Sequence, residues 1–123
     1  MERIMAAIYN PHVDMIAHPT GRLLPDRPGA DLDMEAVILS AAETGTILEI
    51  NANPSRLDLR DVHVRLAMDA GAFIAINCDA HRPDHFQFLH YGVATAQRGW
   101  ATPNKVVNTW PLNKLLDFIA EKN

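Results

Sequence analysis

Apolar residues along this chain fall into two patterns: spacings of three and four, which predict helices, and short unbroken runs that stop abruptly at polar residues, which predict buried strands. Residues 1–9 read as one or two helical turns with Ile4, Ile8 and two alanines on an apolar face. Asn10-Pro11 ends that helix, and Val13-Asp14-Met15-Ile16-Ala17 follows as a short strand running directly into His18-Pro19-Thr20-Gly21-Arg22. Residues 23–31 carry Pro25, Pro28 and Gly29 and form a loop. Asp31 or Asp33 then caps a helix to about residue 43, whose stripe is Val37, Ile38, Ala41 and Ala42 and whose C′ glycine is Gly45. Thr46-Ile47-Leu48-Glu49-Ile50 is the next strand, and it ends in Asn51-Ala52-Asn53-Pro54-Ser55-Arg56.

The alternation continues. A helix from Asp58 or Asp61, with Val62, Leu66, Ala67 and Ala70 at helical spacing, leads to a second capping glycine, Gly71. The run Phe73-Ile74-Ala75-Ile76 has the length and composition of a fully buried strand, and Asn77-Cys78-Asp79-Ala80-His81 terminates it. Pro83-Asp84 suits a helix start, with Phe86, Leu89, Val93 and Ala94 directed toward a core. After a break at residues 99–103 come a short helix or turn over 105–110 and an amphipathic helix over 111–121 using Leu112, Leu115, Leu116 and Ile119. Strand, helix, strand, helix, strand implies an α/β fold of three parallel strands with right-handed crossovers and flanking helices.

Parallel strands point their carboxyl ends one way, so His18, Asn51, Asp79 and His81 are expected on one rim, where α/β folds collect their ligands. Strands spaced about 4.8 Å apart place the first and third about 10 Å apart, whereas two ligands of one zinc bring their donor atoms within about 4 Å. A single ion therefore requires strong sheet curvature, and a barrel-like wall or a multi-metal cluster fits more easily. Each post-strand loop also carries an arginine, Arg22, Arg56 and Arg82, and guanidinium groups beside metal ligands suit an anionic, phosphate-bearing substrate.

Composition narrows the classes. The chain of 123 residues accommodates one domain, and its formal charge of −4 argues against a broad basic nucleic-acid-binding face, leaving only local phosphate contacts. A single cysteine, Cys78, excludes an internal disulfide and reads either as a core thiol or as a metal contact. The absence of a long apolar run and of a signal-peptide pattern leads to the expectation of a cytoplasmic chain without a membrane partner.

The segments His18-Pro19-Thr20-Gly21-Arg22-Leu23-Leu24, residues 48–59 and Asn77-Cys78-Asp79-Ala80-His81, with Tyr91-Gly92-Val93, Arg98-Gly99-Trp100 and Asn108-Thr109-Trp110-Pro111-Leu112, closely resemble the C-terminal part of the polymerase and histidinol phosphatase (PHP) domain. The resemblance is strongest to the PHP domain of bacterial and archaeal family X DNA polymerases, and it covers nearly the whole chain. It implies a distorted (β/α)7 barrel holding up to three divalent metals, usually zinc, manganese or iron. It further implies hydrolysis of phosphoester bonds, in those polymerases as a 3′-5′ exonuclease or phosphatase of DNA repair acting on a DNA 3′ end. On this resemblance His18 is the metal ligand of the His-Pro segment, Asp79 and His81 are the last two ligands, and Asn51 lines the site without ligating.

Residues 1–123 then correspond to a partial PHP domain, because the family's His-x-His, further histidines and bridging Glu have no counterpart before His18. Each ion would keep about one protein ligand, against the three or four of a catalytic zinc site. The expectations are a phosphoesterase portion that self-associates or pairs with an N-terminal barrel half, or alternatively a non-catalytic remnant or interaction module keeping the fold. A third is one metal assembled between the rims of two chains.

Overall fold

The computed structural model describes residues 1–122. Its elements follow the alternation in the sequence: α1 (Glu2–Tyr9), β1 (Met15–Ile16), α2 (Met34–Thr44), β2 (Ile47–Asn51), α3 (Asp61–Ala70), β3 (Ile74–Asn77), α4 (Leu89–Arg98) and α5 (Leu112–Lys122), with 3-10 turns at Pro83–Phe88, Pro103–Lys105 and Val107–Thr109. Local chemistry sets the ends of α2 and α3. The Asp33 side chain accepts from the Ala36 amide at the start of α2, and Gly45 and Gly71 close α2 and α3 in the left-handed conformation at φ 73° and 81°.

The three strands lie in the order β1-β2-β3, all parallel, with Met15 beside Ile47, and Leu48 and Asn51 beside Ile74 and Asn77. Alternation along β2 separates two apolar faces. Leu48 and Ile50 join Ile74 and the helix residues Ile38, Ala41, Val64, Ala67 and Ala96 in the main core. Ile47 and Ala75 face the other way, under Val107, Phe73, Trp110, Leu115 and Phe118. Phe73, Trp110 and Phe118 meet edge to face, with ring centroids 4.8–5.4 Å apart.

The two sheet edges differ. Among the described residues β1 pairs with β2 alone. On β3, a parallel bridge from Ile74 to Val106 is continued by the Asn108 side chain, whose amide donates to the Ile76 carbonyl at 2.9 Å and whose oxygen accepts from the Ile76 N–H at 2.8 Å. One asparagine thus stands in for a strand.

Three predicted faces are corrected. In α3 the buried residues are Val64 and Ala67, whereas Val62 and Leu66 are 50% and 42% exposed. In α4 the buried residues are Gly92, Thr95 and Ala96, and the expected core residues Phe86, Leu89, Val93 and Ala94 are exposed. The cause is close approach: a Cβ on Gly92 would lie 2.5 Å from Ile76 Cγ2 and 2.8 Å from Ala52 Cβ, so α4 docks by its small residues and turns its large ones outward. In α5 no residue is fully buried; Leu112 and Leu116 are exposed, and Leu115 packs with the more C-terminal Phe118.

Candidate functional site

His18 follows the end of β1, Asn51 closes β2, and Asp79 and His81 follow β3, so the parallel register puts all four at the carboxyl ends of the strands. His18 and Asp79 both adopt positive φ, 25° and 51°. That backbone is uncommon outside glycine, costs on the order of 1 kcal/mol or more, and persists where surrounding contacts hold it.

For His18 the holding contact comes from Glu49. This carboxylate is 5% exposed in the middle of β2, a position that ordinarily excludes charge, and it reaches both neighbouring strands. Its Oε1 accepts from the His18 backbone amide at 2.9 Å, and its Oε2 accepts from the Asn77 side-chain amide at 3.1 Å. A single carboxylate therefore ties the ends of β1 and β3 through β2.

A second buried carboxylate, Asp58, organises the loop after β1. Its Oδ2 accepts from the Thr20 amide, the Thr20 hydroxyl and the Gly21 amide at 3.0, 2.8 and 2.9 Å, leaving Oδ1 without a partner. Asn51, fully buried, accepts from the Asn53 amide through Oδ1, and its Nδ2 is an unpaired donor at the rim.

The arginines occupy different roles. Arg22 donates to the Arg56 and Leu57 carbonyls, and Arg56 donates to the Arg22 carbonyl at 3.1 Å, so the two loops clamp each other reciprocally. Burial lowers the Arg22 pKa, opposed by the nearby Asp58 and reinforced by Arg60. Arg82 is exposed and paired with Asp84 at 3.0 Å.

His81 is exposed, with Nδ1 held by the Asp79 carbonyl at 2.6 Å, which leaves Nε2 available to solvent. Metal-binding histidines are oriented by this kind of contact. The His81 amide donates to His85 Nδ1 at 3.0 Å, and the His85 ring stacks on Phe88 at 5.2 Å. His85 thus approaches the rim, while His90 leans on Tyr91. His63, on α3, is half-buried with Nδ1 unpartnered; burial first, then Arg60, lowers its pKa, with Asp58 opposing. Cys78 is a buried free thiol.

Among the described residues, no three His, Cys, Asp or Glu side chains converge as ligands of one ion. His18, Asp79 and His81 do not by themselves form a catalytic metal centre. Sequence reading did not anticipate Asp58 or the partners of Glu49, because the atoms they hold are amides 28 to 38 residues away. Adjacent acidic and glycine-containing strand-end loops were the only signal.

The molecule is thus an α/β unit of parallel strands with polar, carboxylate-braced strand ends. No protein-family model matches the chain. It is 42% identical, over 123 residues and its full length, to the DNA polymerase/3′-5′ exonuclease PolX of Bacillus subtilis (strain 168), of which it spans 22%. It is 29% identical over 126 residues to a probable phosphatase of Thermoanaerobacter sp. (strain X514) and 28% identical over 127 residues to one of Edwardsiella ictaluri (strain 93-146), covering 97% and 98% of the chain. The chain spans about half the length of these phosphatases, 48% and 49%, and about a fifth of the polymerase. It is homologous to PolX and to the probable phosphatases. No helix among the described residues is long and apolar enough to cross a membrane.

Proposed function

We propose that this chain is the C-terminal βα portion of a metal-dependent phosphoesterase barrel of the PHP type, acting on phosphoester bonds as part of a longer, PolX-like protein. The observation that carries the reading is the 42% identity to a 3′-5′ exonuclease over the entire chain, coupled with the position of His18, Asn51, Asp79 and His81 at or just after the carboxyl ends of three parallel strands. The one-sided β1 edge supports it, since further barrel strands would pair there. The donor set supports a shared site: His18, Asp79 and His81 would contribute to divalent ions whose remaining ligands come from another segment, and a DNA 3′ end would be the substrate in a PolX-like protein. The chain alone is inactive on this reading.

The test joins this chain to the preceding barrel segment of the Bacillus PolX relative and measures manganese-dependent release of nucleotides from a DNA 3′ end. Activity in the joined protein, lost in His81→Ala with the fold retained by circular dichroism, is expected. A folded but inactive joined protein would favour the other reading, a non-catalytic module.

A further inference from the structure

We infer that a surface cavity between the loops after β1 and β2, the start of α3 and the end of α4 binds a phosphate group, at a place that none of His18, Asn51, Asp79 and His81 lines. The cavity is about 350 Å³ and is lined by Arg22, Leu57, Arg60, Asp61, Thr95 and Arg98. Three guanidinium groups face one carboxylate, an imbalance opposite in sign to the chain's net charge of −4.

The three arginines are not equally engaged. Arg98 pairs with Asp61 through Nε and Nη2 at 3.4 and 3.2 Å, an exposed contact of low value that an anion can share. Arg22 is fixed by its bonds to the Arg56 and Leu57 carbonyls, which pre-orient its remaining donor edge. Arg60 is exposed and makes no side-chain hydrogen bond or ion pair among the described residues. A fork of fixed and free guanidinium donors around a small cavity suits the several acceptor oxygens of a phosphate group, which guanidinium binds in bidentate fashion. The phosphate can belong to a free phosphate monoester or to a nucleic-acid backbone, and the two differ in what else they bring to the surface.

The site is independent of metal and of hydrolysis, so it stands or falls apart from the phosphoesterase reading. The test is a ¹⁵N NMR titration of the purified 123-residue chain, in parallel with inorganic phosphate and with a short single-stranded oligodeoxynucleotide. Shifts centred on Arg22, Arg60, Asp61 and Arg98, weakened about tenfold or more in apparent affinity by Arg60→Glu, are expected. Response to phosphate alone assigns the site to small phosphates; response to both assigns it to the nucleic-acid backbone. Shifts that leave these residues unmoved for both ligands, or that Arg60→Glu does not change, overturn the inference. Arg60→Ala, which removes no intramolecular bond, separates lost binding from lost fold.

Discussion

The Glu49 carboxylate accepts the backbone N–H of His18 at 2.9 Å across the β1–β2 boundary, so a charge buried in one strand sets the conformation of a candidate ligand on the next. Its other oxygen holds Asn77 of β3. Glu49→Gln keeps one acceptor oxygen for two donors and loses the charge, and is expected to lower unfolding free energy by about 1–2 kcal/mol. Glu49→Ala leaves both donors without this acceptor and is expected to cost about 3 kcal/mol or more. Urea denaturation measures both, and equal stability of wild type and Glu49→Ala would show that the carboxylate does not brace the rim.

Asp58 holds the loop carrying His18 to Arg22 by three bonds to one oxygen. Asp58→Ala is expected to destabilise the chain by about 2–4 kcal/mol and to broaden the amide resonances of Thr20 and Gly21. Sharp, unshifted resonances for those two amides would contradict the assigned role.

Lys122 on α5 places its ammonium among the Ile8 carbonyl at 2.9 Å, the Val13 carbonyl and the Thr46 hydroxyl, joining the end of α1, the approach to β1 and the start of β2. Lys122→Met keeps the aliphatic stem and removes the donors, and a loss of about 1–3 kcal/mol and several degrees in Tm is expected. Thermal unfolding followed by circular dichroism reads this directly.

His63 titrates below its ordinary value of 6.5 because folding buries it and places Arg60 nearby, Asp58 opposing. A depressed folded pKa favours the neutral ring. Its stability is therefore intact above pH 6.5 and is lost as pH falls through the folded value. His63→Gln is expected to flatten the decline in Tm on the acid side while leaving the neutral-pH Tm nearly unchanged. An identical acid decline in the variant would assign it to other groups.

Gly92 lets α4 sit against Ile76 and Ala52. Gly92→Ala adds a methyl where neighbouring carbons lie 2.5 and 2.8 Å away, and a destabilisation of about 1–3 kcal/mol is expected, against the gain that the same change usually brings in a helix.

What the sequence made legible was local. Asp33, Gly45 and Gly71 announce helix ends by their own conformational chemistry, and the polar terminations after Ala17, Ile50 and Ile76 mark strand ends within a residue of those in the fold. The outward turn of Leu89 and Val93 was hidden, because periodicity identifies an apolar face and not the distance at which a helix docks; Gly92 sets that distance through atoms on β3 and after β2. The Arg22–Arg56 clamp was hidden for a related reason. Both arginines donate to backbone carbonyls, which every residue possesses, so composition points to phosphate as readily as to a loop tie. Glu49 was legible as a residue of the second strand, though the backbone amide it holds on the neighbouring loop was not.

The Asn108 amide gives the sheet a direction of growth. With both hydrogen-bonding groups of Ile76 already satisfied, a strand arriving at the β3 side finds that rung taken, whereas among the described residues no strand pairs on the far side of β1. A fibre needs every subunit to add at both ends, and among the described residues this ladder leaves only one unpaired edge. Two copies that met through β1 would use both of these edges at once, so edge-to-edge growth would stop at the pair.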